Sequence, residues 1–499
     1  MTPGPALPVA PLIVLAALVG GIFTGEAAGP GSAIGALVTG ALVVVVAVCV
    51  RAPGIRTVVA ALALALLGAA VMQRALHGIA VSPIASAVAT HADARVTATL
   101  VDDPDASRFD TRVLVRVDGL DGRTGGGRRV LLTASGDVAA HLRILSAGES
   151  VVVRGWCTEL EGFDARWRWK HAVGEVHATE IAGVGPARAP LDRVANRLRK
   201  LVLAGSTHLQ PVDRALLAGF LLGDTRGVPK QLTDQFRAAG LTHLTAVSGE
   251  NVAFVMALFA PLLRRSGLRG RMLLALAVLV CFGTMTRWEP SVLRAIAMAT
   301  VALLAGALGR PATGLRVLVL AATALLLVDP FLVHQVGFLL SCGASLGIAL
   351  LSRPITERLR GPMWMREVLG VTAAAQVGVA PVLVPVFGSM PLVALPANLV
   401  AVPLAAPLTM WGLLAGAGGG LARPLSPAVP RLLELPTVGL LHALISVADL
   451  AARVPIAIDG RAAWGLIALG ALVAAAHRAR AARHVEIGRQ PAGGRTPPA

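Results

Sequence analysis

Residues 291–308 read SVLRAIAMATVALLAGAL, eighteen residues with a single charged side chain. A helix of about 20 apolar residues crosses the hydrocarbon core of a bilayer, so this stretch predicts a membrane span. Hydrophobic residues make up 55% of the 499-residue chain and charged residues 15%, which excludes soluble, disordered and disulfide-rich classes. Similar apolar runs lie at 8–23, 33–50, 57–76, 251–263, 272–286, 315–328, 335–351, 368–388, 392–415, 433–453 and 464–477. The sequence therefore predicts a polytopic α-helical membrane protein of about 12 spans, some of them broken because they are short.

The charges of the connecting segments predict how the chain is threaded through the membrane. The formal net charge is +17, but Asp and Glu crowd into residues 93–192. The link after the first apolar run carries only Glu26, whereas the next link carries Arg51 and Arg56. Since positively charged links stay on the cytoplasmic side, we expect both termini to be cytoplasmic and the protein to be multi-pass in the plasma (inner) membrane.

The polar stretch after the third apolar run divides the chain into domains. Residues 191–203 alternate apolar and basic faces with a helical period, which predicts a helix lying at the membrane surface or a simple linker helix. The predicted units are N-terminal transmembrane helices at 1–76, an extracytoplasmic β domain at 77–190, an amphipathic interfacial helix at 191–210, a second transmembrane domain at 211–477 and a basic cytoplasmic tail at 478–499.

Five β-rich runs in the polar stretch predict a small all-β barrel, an OB-like domain. The runs lie at 94–101, 111–117, 128–134, 150–156 and 173–181. The glycine-rich segment DGRTGGGRR at 121–129 predicts a hairpin, because no Lys-Ser or Lys-Thr follows it as in a phosphate-binding loop. Aromatic and basic side chains of this domain could stack and bind single-stranded DNA, or could form barrel core and a solvated loop. These candidates are Trp156, Arg166, Trp167, Arg168, Trp169 and Lys170.

The stretch RAAGLTHLTAVSGENVAFVM at 237–256 has the densest cluster of polar residues inside apolar sequence. Ser248 is a good N-cap, so we expect a helix to break here and to resume as a span. A broken helix presents free N–H groups and a positive dipole end, which suits an anion such as phosphate. Simple capping and a catalytic pair of His243 with Ser248 are the alternatives. The candidate residues are His243, Ser248, Gly249, Glu250 and Asn251.

A second cluster, TMTRWEPSVLRAIAM at 284–298, places charges between two apolar runs. Charges at membrane depth are costly unless they are paired or line water. An internal salt bridge between Glu289 and Arg294 is one explanation, and a cationic pore lining by Arg287 and Arg294 is the other. Ser291 belongs to the same cluster.

Two further clusters combine polar and small residues. Residues 329–345, DPFLVHQVGFLLSCGAS, contain the candidates Asp329, Gln335 and Ser341, although their small residues alone could serve close helix packing. Asn398 lies in LPANLVAVPLAAPLTMW at 395–411. The prolines of this stretch, Pro396, Pro403 and Pro407, predict a repeatedly broken span. A buried Asn needs a hydrogen-bond partner, and a backbone carbonyl would suffice.

The sequence offers no catalytic, metal or cofactor motif. No Walker motif occurs, and the eleven histidines form no HxH, HxxEH or HExxH grouping. We therefore expect no metal, no cofactor and no enzyme activity.

Taken together, these clusters resemble the ComEC family, the bacterial DNA-uptake channel. The stretches that carry the resemblance are LLGDTRGVPKQLTDQFRAAG at 221–240, GLTHLTAVSGENV at 240–252, EPSVLRAIAM at 289–298, DPFLVHQVGFLLSCGAS at 329–345 and PANLVAVPLAAP at 396–407. The resemblance implies a competence-type channel domain at 211–477 that passes one DNA strand into the cytoplasm during natural transformation. It also implies a DNA receptor on the outer side and a helicase-like ATPase in the cytoplasm as partners.

The sequence departs from that family in two ways. Many relatives carry a C-terminal metallo-β-lactamase-like domain, but no HxHxDH motif occurs here, so we expect no nuclease activity. Many relatives have Leu-His where this chain has Glu250-Asn251. Glu250 adds a negative charge that could repel DNA, bind a cation or pair with Arg287 or Arg294.

The sequence as a whole predicts a single-stranded DNA channel that works without covalent catalysis. A secondary transporter for a small anionic solute is the first alternative, and a membrane serine hydrolase that uses Ser248 is the second.

Overall fold

The computed structural model describes residues 9–31, 34–49, 52–107, 109–245, 247–310, 312–454 and 457–459. The predicted span at 464–477 and the predicted tail at 478–499 lie outside the described residues.

Three helices precede the β domain, at α1 (Val9–Ala28), α2 (Ile34–Cys49) and α3 (Pro53–Ala80). Helices α1 and α3 pack backbone to backbone, because Gly21 and Gly25 leave no room for a side chain against Ala65 and Ala69. Small residues at such crossings are typical of helices that associate in membranes. The three predicted N-terminal runs thus correspond to helices.

A short helix α4 (Pro83–Ala89) leads into a closed five-strand barrel. The strands and the second helix of this domain are β1 (Asp93–Leu100), β2 (Asp105–Ala106), β3 (Asp110–Leu120), β4 (Arg123–Thr124), β5 (Arg129–Ser135), α5 (Gly136–Arg143), β6 (Ser150–Thr158) and β7 (Ala172–Gly185). The ring runs β1–β6–β7–β5–β3 and closes by pairing of β1 with β3; β5 and β7 are parallel and the other barrel pairs antiparallel. Helix α5 connects the third barrel strand to the fourth. This Greek-key barrel is OB-like, as predicted.

Alternation of apolar and polar residues explains why the barrel strands form. Inward-facing residues such as Val96, Val113, Leu132 and Val153 are buried in one core, and their neighbours face solvent or other layers. The segment at 121–129 is the predicted hairpin connection, with Gly126 and Gly127 both at positive φ.

The remaining helices follow the barrel. Their bounds, with two short strands, are α6 (Pro190–Gly205), α7 (Pro211–Leu222), α8 (Lys230–Ala238), α9 (Thr242–Thr245), α10 (Gly249–Arg265), α11 (Leu268–Met285), α12 (Pro290–Ala307), α13 (Gly314–Val328), α14 (Val336–Thr356), α15 (Met363–Phe387), β8 (Ser389–Pro391), α16 (Ala394–Ala422), α17 (Ala428–Ala452) and β9 (Ala457–Asp459). Two 3₁₀ segments, Gly162–Lys170 and Pro330–His334, lie between β6 and β7 and between α13 and α14.

Eight of the described helices are long and apolar enough to cross a membrane, which makes the chain a membrane protein with an inserted β barrel. Three more predicted runs form shorter helices, namely α2 with 16 residues, α10 with 17 and α13 with 15. The count of about 12 spans and the sides of the membrane therefore stay predictions.

Helix α16 differs from its prediction as a broken span. It is continuous over 29 residues although Pro403 and Pro407 lie inside it. Neighbouring helices can compensate the hydrogen bonds that a proline removes, and α16 packs along α6 and α17.

Helix α6 packs against α16 and α11. Leu201 lies against Gly420, and Gly205 against Gly416, where an added Cβ would meet backbone atoms. Asn196 and Arg199 of this helix are buried, together with Ala195 and Val202. The predicted interfacial position of α6 stays a prediction.

Helices α14 and α15 form a further close glycine-mediated pair. A Cβ on Gly343 would lie 2.6 Å from the carbonyl oxygen of Gly378, and Gly347 also approaches the α15 backbone. The two backbones are therefore in direct contact, as the small residues of 329–345 allow.

Candidate functional site

A helix break lies at the centre of the region predicted to carry function. Helix α8 ends before Gly240, whose φ of +69° suits a residue without a side chain. Helix α10 then begins at Gly249, and the hydroxyl of Ser248 accepts a hydrogen bond of 3.2 Å from the backbone N–H of Glu250. The predicted N-cap is confirmed. The side-chain amide of Asn251 donates to the carbonyl oxygen of Phe220 at 2.9 Å, which fixes the first turn of α10 against α7.

Arg294 lies beside this helix start. Its side chain is on α12, and the residue is 9% exposed. The Nε atom donates to Ser341 Oγ at 2.7 Å, and Nη1 contacts the thioether sulfur of Met298 at 2.9 Å. A Cβ built on Gly249 would lie 2.5 Å from Arg294 Nη2, so the guanidinium group rests against the backbone of the first residue of α10.

The guanidinium group of Arg294 has no carboxylate partner within the described part of the chain. Of the two explanations for the charges at 284–298, the internal salt bridge between Glu289 and Arg294 is not formed; Glu289 is exposed. Glu289 is the N-cap residue of α12, and Arg294 follows five positions later, which is about 140° around a helix of 3.6 residues per turn. Glu250 likewise forms no ion pair with Arg287 or Arg294 among the described residues. A buried positive charge therefore adjoins the positive end of the α10 dipole, an arrangement that favours an anion.

Arg287 belongs to a different cluster, between the barrel and the helices. Its Nη2 atom donates to Asp103 Oδ1 and to Asn196 Oδ1, each at 2.8 Å. Asp103 lies in the loop between β1 and β3, and its Oδ2 atom accepts from Arg199 Nη2 at 2.8 Å. Arg199 also donates to the carbonyl oxygens of Leu222 and Met285. This network ties the barrel loop to α6, α7 and α11.

Asp224 and Arg226 complete the cluster. Arg226 Nη2 lies 2.6 Å from Asp224 Oδ2 and 3.8 Å from Asp103 Oδ2, while Arg199 lies 3.3 Å from Asp224. The side chains of Arg199, Arg287, Asp103 and Asp224 are between 7% and 13% exposed, and that of Arg226 is 33% exposed. We call Asp103, Arg199, Asp224, Arg226 and Arg287 the junction cluster.

The electrostatics of the junction cluster favour ionised carboxylates. Burial by itself would raise the pKa of Asp103, but the guanidinium groups of Arg199 and Arg287 outweigh it and lower this pKa from 3.8 to about 2. The pKa of Asp224 is also lowered, because hydrogen bonding and attraction from Arg226 exceed the effect of burial.

The backbone at the junction is strained. Arg287 and Trp288 have φ of +55° and +54°, in the left-handed region that disfavours residues with a Cβ. Arg287 Nε is buried without a hydrogen-bond partner among the described residues. Strain of this kind is held by the surroundings and marks positions where geometry matters for function.

Two predicted path residues, Asp329 and Gln335, contact the barrel. Asp329 Oδ1 lies 3.0 Å from His171 Nε2, and Gln335 Nε2 donates to the backbone oxygen of Trp169 at 3.1 Å. The Trp169 ring stacks on His334 with centroids 3.8 Å apart. Both residues therefore help to dock the loop between β6 and β7 onto the segment before α14.

The other barrel candidates are distributed over the same loop and β6. Arg166, Arg168 and Lys170 are exposed, and Arg166 stacks over the ring of Phe163 at 3.4 Å. Trp167 is half-buried, with its Nε1 lacking a partner in the described structure. Trp156, 47% exposed, stacks on His177 at 5.2 Å.

The remaining candidates make separate contacts. Ser291 Oγ donates to the carbonyl oxygen of Val247 at 2.9 Å, next to the helix break. Asn398 is buried, and its Oδ1 has no partner among the described residues. No hydrogen bond between described residues joins His243 to Ser248, so the geometry of a catalytic pair is not formed.

Sequence reasoning missed most of the junction cluster, because its members are up to 184 positions apart in the chain. It also missed Glu434 on α17, which is fully buried with neither carboxylate oxygen paired among the described residues. An acidic residue inside an apolar run was the available signal. Among the described residues, no group of three or more His, Cys, Asp or Glu residues is arranged so that it could hold a metal ion.

The sequence profile of the family described as Competence protein matches residues 220–481, a little more than half of the chain. This chain belongs to the competence protein family. The match contains Arg294, the helix break and the 329–345 cluster, whereas the barrel and α6 precede it. The resemblance to the ComEC family is thereby confirmed.

Two curated proteins are similar to this competence protein. ComE operon protein 3 of Bacillus subtilis (strain 168) is 28% identical over 222 residues, and the protein YcaI of Escherichia coli (strain K12), described as uncharacterized, is 31% identical over 246 residues. The matches cover 44% and 46% of this chain but 28% and 32% of those proteins, so the matched part is about a third of each relative. No solved structure matches the chain.

Proposed function

We propose that the protein is a membrane channel that imports single-stranded DNA into the cytoplasm during natural transformation, without covalent catalysis. Membership in the competence protein family supports a role in DNA uptake. The observation that carries the proposal is Arg294, a buried arginine without a carboxylate partner in the described structure, set against the start of a broken helix.

Arg294 and the α10 start have the chemistry of a phosphate contact. A guanidinium group and backbone N–H groups bind phosphate oxygens with charge-assisted hydrogen bonds. Burial of an unpaired arginine is costly, and a passing phosphodiester would supply the missing negative charge. Because Ser341 and Met298 are neutral, they hold the guanidinium group without neutralising it.

The barrel would receive the strand before it reaches the helices. The loop between β6 and β7 carries exposed Arg166 and Arg168 beside the exposed ring of Phe163, a combination suited to stacking and backbone contact with single strands. An outer DNA receptor would deliver the strand, and a helicase-like ATPase in the cytoplasm would pull it. The proposal has the barrel outside and both termini in the cytoplasm.

The proposal is tested with the full-length protein in lipid vesicles. An oligonucleotide should bind much more tightly than a mononucleotide, and its affinity should fall with salt at a slope of about −0.7 per phosphate contact. Arg294→Gln should abolish import of a labelled oligonucleotide into the vesicles, with the helicase-like partner supplied if needed. Arg353→Gln, which removes an exposed arginine paired with Glu357, is the matched control and should leave import unchanged.

The same assay separates the alternatives. A transporter for a small anion would bind a mononucleotide or inorganic phosphate as tightly as an oligonucleotide, because one guanidinium group serves one anion. A serine hydrolase would be labelled at Ser248 by an active-site phosphonate. Either result contradicts the channel, whereas import that survives Arg294→Gln overturns the role of Arg294 as its phosphate contact.

A further inference from the structure

We propose that Arg199, Arg226 and Arg287 form a phosphate-binding site that the barrel closes with Asp103, and that a phosphate of the incoming strand displaces this carboxylate. The inference rests on the proposed function and adds an entry site that precedes Arg294. It makes the junction cluster a substrate contact as well as a joint between two parts of the molecule.

Charge in the junction cluster supports the site. Three guanidinium groups form ion pairs with two carboxylates, Asp103 and Asp224, and Asp105 attracts Arg226 without forming an ion pair. Asp103 uses its two oxygens for two different arginines, and the backbone N–H of Ala147 also donates to it at 2.9 Å. A phosphodiester likewise offers two anionic oxygens to the planar donors of arginine, so it can take the place of this carboxylate.

The position of Asp103 in the barrel supports displacement. The loops between the first two and between the last two barrel strands are those that bind oligonucleotides in OB-folds. Here the first of these loops carries Asp103, and the second docks through Trp169 and His171 onto Asp329 and Gln335. The barrel therefore covers the arginines with the side that binds ligands in OB-folds. Release of Asp103 would expose the three arginines and this side of the barrel together.

A route for phosphate into the cluster is provided by Arg226. Its side chain is the most exposed of the five, at 33%, and its Nη1 atom donates to the backbone oxygen of Pro104 in the Asp103 loop. A phosphate bound first at Arg226 would lie next to Asp103 and compete for Arg199 and Arg287. The strained turn at Arg287 and Trp288 holds the third guanidinium group toward the barrel.

The decisive comparison uses Arg226→Gln and Arg154→Gln in the full-length protein in nanodiscs, with inorganic phosphate and an oligothymidylate as probes. Both substitutions remove one positive charge, but Arg154 forms an exposed pair with Asp93 on the barrel surface. We expect Arg226→Gln to weaken binding of both probes by about tenfold and Arg154→Gln to change it by less than about twofold. Equal losses of affinity in the two variants would mean that only the net charge of the protein matters, and this would overturn the site.

The carboxylate is tested with Asp103→Asn against Asp93→Asn. Removal of the competing charge at Asp103 should tighten phosphate binding and lengthen the distance between spin labels at Val184 on β7 and Leu425 after α16, both exposed. The oligothymidylate should lengthen the same distance in the unsubstituted barrel. A distance that DNA leaves unchanged overturns displacement. If Asp103→Asn does not fold, the Arg226 and Arg154 pair still decides the site.

Import is measured separately, so that the two proposals fail differently. Phosphate binding that follows the pattern above without any passage of DNA would leave this site standing and contradict the channel. Passage of DNA together with equal phosphate binding by Arg226→Gln and Arg154→Gln would leave the channel standing and contradict this site.

Discussion

Two buried arginines of the same helix-rich region are held in opposite ways. Arg199 donates to Asp103, Asp224 and two backbone carbonyls, so its charge is paired with carboxylates at the junction between the barrel and the helices. Arg294 donates to a hydroxyl and a thioether and has no carboxylate partner among the described residues. An arginine that is paired with carboxylates stabilises the folded structure around it. A buried arginine without a carboxylate partner can still form its ion pair with an anionic ligand.

The largest expected effect is the loss of the paired charge. Arg199→Met should lower the free energy of unfolding by about 3–5 kcal/mol, because it removes one ion pair from each of two buried carboxylates and takes the Arg199 donor away from two buried carbonyl groups. Denaturant titration in micelles, followed by tryptophan fluorescence, measures this change. The surface variant Arg154→Met should stay within about 0.5 kcal/mol of the unsubstituted protein. If Arg199→Met also changed the free energy of unfolding by only about 0.5 kcal/mol, the junction cluster would not stabilise the contact between the barrel and the helices.

Arg294→Met should have the opposite profile. We expect no loss in the free energy of unfolding, since the substitution removes an unpaired buried charge, but a fall in oligonucleotide affinity by about 10- to 100-fold. Titration of a labelled oligonucleotide gives the affinity, with Arg353→Met as the control. A destabilised Arg294→Met protein would indicate a structural partner for this guanidinium group and would erase the difference between the two arginines.

Acid should weaken the junction but not the Arg294 site. The pKa of Asp103 lies below its value in the unfolded chain, so its stabilising contribution is complete above pH 3.8 and is lost as the pH falls toward about 2. The loss amounts to about 2 kcal/mol from this group. Unfolding measured across that range should show the slope, and Asp103→Asn should reduce it. An unchanged slope in the variant would assign the acid sensitivity to other carboxylates.

The smallest expected effect concerns the helix break. Ser248→Ala should cost about 1 kcal/mol through loss of the N-cap, because the N–H of Glu250 loses its acceptor. Oligonucleotide binding should persist, since Arg294 and the backbone N–H groups remain, and Ser248→Asp should restore the cap. Complete loss of activity in a stable Ser248→Ala protein would favour the hydrolase over the channel.

Local patterns allowed much of this structure to be predicted. Alternating valines and a glycine-rich connection gave the five barrel strands, and Ser248-Gly249 gave the helix break, because each depends on neighbours within a few positions. The continuity of α16 was not predictable from Pro403 and Pro407 alone, since packing against other helices decides whether a proline ends a helix.

Contacts between distant segments were beyond local patterns. Nothing near Asp103 shows that it will meet Arg287, and the +5 spacing of Glu289 and Arg294 suggested a pair that does not form. Asp329 and Gln335 were recognised as polar residues in an apolar setting, but their contacts with Trp169 and His171 depend on where the barrel docks. Sequence therefore located polar residues of interest better than it identified their partners.

The glycine contact between α14 and α15 restricts how the proposed channel can widen. Since no side chain separates the two backbones at Gly343 and Gly378, these helices cannot part without breaking that contact, and they shift as one piece. The proposed passage would then widen along another side of α14, where α12 packs. The Arg294–Ser341 hydrogen bond joins α12 to α14, so an anion that draws Arg294 away from Ser341 would also break the hydrogen bond between these two helices.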